Sequence, residues 1–142
     1  MGKHGMVAAA LVTLILAGCT GVDSRGATDD RLAASKRLVI PDVPVPDGFK
    51  MDLKFSDWRN SSGGLRTGYA LYTGRASLPA LVEFYKDNMP IPGWAMIDES
   101  GTSGSYILRY EKGSEKVDVK VTPGGIYTDI MVSFWPRGST KK

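Results

Sequence analysis

Cysteine and histidine are almost absent from this 142-residue chain, which has one of each, Cys19 and His4. From residue 20 onward no thiol and no imidazole remains. That stretch can form no disulfide, no thiolate nucleophile and no cysteine- or histidine-based zinc site. Ser-His-Asp and Cys-His catalysis are excluded with them. No apolar run reaches the roughly eighteen residues that a membrane-spanning helix needs. There is no internal repeat, no glycine-rich phosphate loop opening a helix and no dinucleotide fingerprint. A basic surface is missing too. The formal charge is +3, but residues 39–137 carry 11 Lys/Arg against 12 Asp/Glu, a net of −1. The excess sits in Lys3, in residues 19–38 and in Lys141 and Lys142, so the domain offers nucleic acid no basic face.

What is present begins with an address. Lys3 precedes an uncharged, mainly apolar run from Met6 to Ala17. A run of that length suits a signal segment and is too short to cross a bilayer. It ends in Leu16-Ala17-Gly18-Cys19, which resembles the lipobox of bacterial lipoproteins position by position. The resemblance implies cleavage between Gly18 and Cys19. It also implies a diacylglycerol on the Cys19 sulfur and an acyl group on its freed amine. Two or more chains hold a protein stably on a membrane, where one holds it marginally. The expected location is therefore the cell envelope, with the membrane as partner through the lipid. Thr20 follows the cysteine; the absence of Asp there resembles the outer-membrane pattern if the host is Gram-negative, facing periplasm or surface.

The remaining chain, at 42% apolar residues overall, has material for one modest core. Residues 1–18 read as signal, 19–38 as a flexible tether with a helical turn over 29–35, 39–137 as one domain and 138–142 as a basic tail. Pro41, Pro44 and Pro46 predict an extended leading segment, with Val43 and Val45 packing along the domain edge. Met51, Leu53 and Phe55 alternate with charged residues as a half-buried strand. Residues 57–64 read as a polar loop around Trp58. Leu65, Thr67, Tyr69 and Leu71 form one face of a second strand; Arg66, Gly68, Ala70 and Tyr72 form the other. Ser77 caps a helix whose Leu78, Leu81, Val82 and Tyr85 make an apolar stripe, widened by Phe84, and Pro90 and Pro92 end it. Four strands follow: 94–98, 106–110, 116–121 and 126–135. The order β-β-α-β-β-β-β predicts an α+β two-layer sandwich, a mainly antiparallel sheet covered by one helix. A ferredoxin-like arrangement and a helix wrapped by a curved sheet both fit. The stretch Phe84-Tyr85-Lys86-Asp87-Asn88-Met89 followed by Gly93-Trp94 resembles the helix-to-strand junction of small bacterial envelope domains of unassigned function. Its physical reading is a tight turn at Gly93 and a Trp94 plug under the helix.

Arg66, Tyr72, Arg109, Tyr127 and Trp135 fall opposite the expected apolar face, and Trp58 and Arg59 lie on the expected loop. Aromatics with arginines mark interaction surfaces, so these seven form the candidate binding surface, toward an envelope protein or cell-wall component. Cross-strand pairing on a wet sheet would use the same residue types. No catalytic residue, metal or cofactor is expected apart from the Cys19 lipid. The leading expectation is a non-catalytic binding or structural domain in the envelope. One alternative is a small-ligand binder with a pocket between helix and sheet lined by Tyr69, Tyr85 and Trp94. Another is a carboxylate-only hydrolase using a pair among Asp57, Asp98, Glu99, Asp118 and Asp129.

Overall fold

In the computed structural model, which describes residues 31–138, seven strands and one helix follow the hydrophobic alternation closely in the C-terminal half and less closely before it. The signal, the lipobox, Cys19 and residues 139–142 lie outside the described residues. The strands are β1 (Lys50–Met51), β2 (Asp57–Asn60), β3 (Arg66–Gly74), β4 (Ala95–Thr102), β5 (Ser105–Lys112), β6 (Glu115–Pro123) and β7 (Thr128–Pro136). Helix α1 (Leu78–Asn88) connects β3 to β4. All strands pair antiparallel in one sheet of order β1-β3-β7-β6-β5-β4, with β2 beside β1 on the same edge of β3. The α+β class and the single covering helix are as expected, but three strands rather than two precede the helix.

The inner face is built in cross-strand rows. Gly68, Phe134, Val117 and Tyr110 stand in one row; Ala70, Val132, Val119 and Leu108 in the next; Tyr72, Ile130, Val121 and Tyr106 in a third. Most of these side chains are fully buried, and each large one contributes about 1.5–3 kcal/mol on leaving water. Helix α1 packs over β5 and β6 with Leu81, Val82, Phe84 and Tyr85 buried beneath it. Ser77 Oγ accepts from the Ala80 N–H at 3.3 Å, and Pro79 sits in the first turn, where its missing N–H costs nothing. Beyond the helix Gly93, at φ +97°, makes the tight turn, and Trp94 plugs the core at 1% exposure.

Four local expectations between residue 51 and the end of β4 are corrected. Residues 51–55 are not one strand. After β1 the chain makes a 3-10 turn over Leu53–Phe55, leaving Leu53 and Phe55 largely exposed. Ser56 spans the interruption: its Oγ donates to the Asp52 carbonyl at 2.6 Å and accepts from the Leu71 N–H at 2.9 Å. Residues 57–60 are strand, not loop, because β2 extends the same edge of β3 past that turn. Strand β4 runs to Thr102 through what reads as a flexible loop, as an exposed edge strand paired only with β5.

The fourth correction turns β3 over. Ala70, Tyr72 and Gly74 face the core, while Tyr69 is 43% exposed. Both faces of this strand are amphipathic, and close approach decides between them. Gly68 has φ +113°, and a Cβ there would fall 2.1 Å from the Asp57 carbonyl oxygen. A Cβ on Gly74 would fall 2.5 Å from the Phe49 ring. Glycine at these two positions admits the neighbours.

The leading segment belongs to the domain from residue 31. Leu32 and Leu38 pack against the core. Ser35 N–H donates to the Val45 carbonyl and Asp47 N–H to the Ala33 carbonyl, both at 2.8 Å. Instead of running straight, the chain turns at Ile40–Val43 and buries Ile40, Val43 and Val45. The 31–35 part of the expected helical turn is not helical.

Candidate functional site

Three tyrosines meet in the interior from three elements: Tyr72 on β3, Tyr85 on α1 and Tyr110 on β5. Their hydroxyls are buried, and none has a hydrogen-bond partner. Burial pushes the Tyr72 phenol up to about 12. Burial likewise raises Tyr85, with the Tyr72 and Tyr110 phenols adding to the effect, and it raises Tyr110, with Glu99 adding. All three are therefore neutral O–H groups at ordinary pH, able both to donate and to accept. An unsatisfied buried hydroxyl costs about 1–3 kcal/mol, so three in one core need a reason that packing does not supply. The Phe84 ring meets the Tyr85 ring edge-on at 5.2 Å. Of the three residues expected to line a pocket between helix and sheet, Tyr85 and Trp94 are buried in the core and Tyr69 points outward, while Tyr72 and Tyr110 are buried from β3 and β5.

A charged cluster closes one end of this interior. Arg66 is the first residue of β3 and lies on its inner face, with only 12% of its side chain exposed. Its guanidinium donates to Asp42 Oδ2 at 2.9 Å and to Glu115 Oε2 at 2.7 Å. It also stands 4.7 Å from the Phe134 ring centre and 5.7 Å from that of Trp94. Lys112 Nζ reaches Asp42 Oδ2 at 3.1 Å, and Trp94 Nε1 donates to the Asp42 backbone carbonyl at 2.8 Å. Burial raises the Asp42 carboxyl, but hydrogen bonds and charge from Arg66 and Lys112 outweigh it and hold the group below its ordinary value. Glu115 is lowered chiefly by the Arg66 side chain, against burial, with help from the Arg66 backbone N–H. The two carboxylates in turn raise Arg66.

The seven surface candidates do not form one face. Arg66 and Tyr72 are inward, as the inverted β3 requires. Arg109 and Trp135 lie on the outer face, where Arg109 pairs with Asp98 and reaches Asp118 at 3.9 Å. Tyr127 is 52% exposed in the turn before β7, under the Arg75 guanidinium at 4.9 Å. Trp58 is half-buried against the core edge, and Arg59 is exposed with Asp57 at 3.4 Å. Each carboxylate weighed for hydrolysis has an ion-pair or hydrogen-bond partner, and two of them share one arginine. Asp98 and Asp118 are on Arg109, Asp129 accepts from Thr73 Oγ1 at 2.7 Å, Asp57 is on Arg59, and Glu99 is on Lys86 at 2.9 Å. Among the described residues no group of three or more Cys, His, Asp or Glu stands together as metal ligands, and no helix is long and apolar enough to cross a membrane.

Sequence reasoning missed Tyr110, Asp42, Glu115 and Lys112 as site residues. Tyr110 had a signal: it shares the apolar parity of β5 with Leu108. The ion cluster had none, since its bonded pairs are 24 to 70 residues apart.

One helix laid across an antiparallel sheet, enclosing polar atoms that the protein itself leaves unpartnered, defines a module built around its interior. A START domain-like family model matches residues 54–136, more than half of the chain, and the chain belongs to that family. Neither the curated proteins nor the solved structures give a match.

Proposed function

We propose that this domain is a non-enzymatic binder of a small, mainly apolar ligand carrying a polar end, held between α1 and the sheet. The observation that carries the reading is the set of three unpartnered hydroxyls, Tyr72, Tyr85 and Tyr110, buried there from three different elements. A ligand's polar group satisfies them while its apolar body replaces core contacts. A START domain-like module suggests the same kind of function. Phenylalanine at these positions would pack without the cost of an orphaned hydroxyl.

The lipobox-like Leu16-Ala17-Gly18-Cys19 supports an envelope setting in which a lipid on Cys19 holds the domain at a membrane. Labelling with a palmitate analogue should mark the wild type and not Cys19→Ala; equal labelling contradicts the anchor. Engagement of an envelope partner through Arg109, Trp135 and Tyr127 belongs to the same reading and is secondary to the interior site.

The binding test uses Nile red, an apolar dye with a hydrogen-bonding carbonyl. Wild type should give saturable, blue-shifted fluorescence. Tyr85→Phe should weaken it while thermal stability stays level or rises, because the variant removes an unsatisfied hydroxyl. Absence of saturable binding, or equal binding by wild type and the Tyr72, Tyr85 and Tyr110 to Phe variants, contradicts the reading.

A further inference from the structure

Residues 31–47, called the strap here, lie wholly before the stretch that the family model matches, yet they supply Ile40, Val43 and Val45 to the central core. Three of their backbone–backbone hydrogen bonds run within the segment, Ser35 to Val45, Val43 to Ile40 and Asp47 to Ala33, and one leaves it, from the Phe49 N–H to the Pro46 carbonyl. Side chains fasten the strap to the rest of the domain: Ile40, Val43 and Val45 in the core, Leu32 and Leu38 packed against it, and one carboxylate, Asp42, on Arg66 and Lys112. The Asp42 backbone carbonyl takes the Trp94 indole N–H as well.

In chemical terms the strap is a carboxylate followed by a branched apolar body. The carboxylate sits in a two-pronged cationic seat walled by Trp94, with Phe134 under Arg66. We propose that the strap is an internal ligand mimic, and that the domain's own ligand is a single-chain carboxylate that displaces it, its carboxylate taking the Asp42 seat and a second polar group along its chain meeting the buried tyrosine hydroxyls. With Asp42 withdrawn, Glu115 remains on Arg66 and Lys112 loses the carboxylate it pairs with, leaving one net positive charge in the cluster beside the apolar space vacated by Ile40, Val43 and Val45. That balance suits a monoanion. A phosphate monoester, at about −1.5 to −2 charge, would exceed it. An open cleft of about 360 Å³ touching Ile40, Asp42, Trp58 and Arg66 gives the incoming headgroup access to the seat.

The strap inference rests on the interior ligand site proposed above, and its test separates the two. The full chain is titrated with decanoate, decanol and decyl phosphate, each below its micellar concentration, and followed by amide hydrogen exchange. Decanoate should bind most tightly of the three. It should also speed exchange at Ser35, Val43 and Asp47, whose N–H groups hold the strap together, while decanol should not. Asp42→Asn loosens the latch and raises the competent fraction. It should therefore bind decanoate about tenfold more tightly than wild type, as expected when a closed state is relieved by about 1.4 kcal/mol, with no such gain for decanol. If Asp42→Asn does not fold, the exchange result on unaltered protein decides alone. Binding of decanoate with strap exchange unchanged or slowed overturns the displacement. Preference for decyl phosphate overturns the ligand class. Binding of decanol alone, or of Nile red alone, overturns the strap inference and leaves the interior site standing. Failure of every probe overturns both.

Discussion

Replacing Arg66 by methionine keeps most of the stem in the core and removes the guanidinium that ties three parts of the chain together. In the variant Glu115, with 13% of its side chain exposed, keeps only the Arg66 backbone N–H at 2.7 Å. Asp42, 24% exposed, keeps Lys112 at 3.1 Å. Removing one partner of a largely buried ion pair costs about 3–5 kcal/mol, because the remaining charge stays desolvated. The contacts over Phe134 and Trp94 add about 0.5–1 kcal/mol each where the cation is partly screened. Retained neighbours reduce the first figure, so Arg66→Met should lower stability by about 3–5 kcal/mol in all, read by urea unfolding with tryptophan fluorescence at pH 7. The pH dependence carries the sharper signature. Asp42 and Glu115 are held below their ordinary values of 3.8 and 4.5 in the folded chain. The unfolded chain therefore binds protons first, and the stabilisation is complete above those ordinary values. It is lost as pH falls through the lowered folded values. Wild type should weaken across that acid window, and Arg66→Met should show a flatter acid limb. A loss under about 1 kcal/mol with an unchanged acid limb would refute the assignment of Arg66 as a buried tie.

Other expectations follow from the same packing. Trp94→Ala empties a site that is 1% exposed and strands the Asp42 carbonyl; calorimetry should show a loss of about 3–5 kcal/mol, and an unchanged melting curve would mean that the indole is not a core plug. Gly68→Ala places a Cβ 2.1 Å from the Asp57 carbonyl oxygen at φ +113°; at least about 2 kcal/mol should be lost, and a neutral result would contradict the inverted face of β3. The fold keeps Tyr72 neutral up to about 12 and raises Tyr85 and Tyr110 as well. The unfolded chain releases those protons near pH 10, so the urea midpoint should fall from pH 9 to pH 11. That fall should shrink when all three are phenylalanine, and an equal fall would place the alkaline sensitivity elsewhere.

The second half of the sheet was legible because its pattern has one solution. In β6 and β7 the valines and isoleucines alternate with Lys116, Asp118, Lys120 and Asp129, and only one face can be buried. The helix was equally plain, from the Ser77 cap to Pro90. On β3 the pattern has two solutions, Leu71 and Tyr69 against Ala70 and Tyr72. What selects between them is the approach of Asp57 and Phe49 to two glycines, which no local period encodes. The same ambiguity moved the site: a one-residue change of parity exchanges Tyr69 for Tyr72 in the interior and carries Arg66 from the wet face to a buried ion cluster. The prolines at 41, 44 and 46 forecast a stiff segment, but Asp42 found its partners at Arg66 and Lys112 across the whole domain. Pairings so distant in sequence leave no trace in spacing.

The central claim is that the interior between α1 and the sheet, marked by its three orphan hydroxyls, takes a ligand. Tyrosine labelled with ¹³C at the ring carbon bearing the hydroxyl reports each of the six phenols separately by nuclear magnetic resonance. Titration with decanoate should shift Tyr72, Tyr85 and Tyr110 together in a saturable manner and leave the exposed Tyr69 and Tyr127 in place. Shifts confined to Tyr69 and Tyr127, or none at any tyrosine while the ligand is bound, would contradict the account.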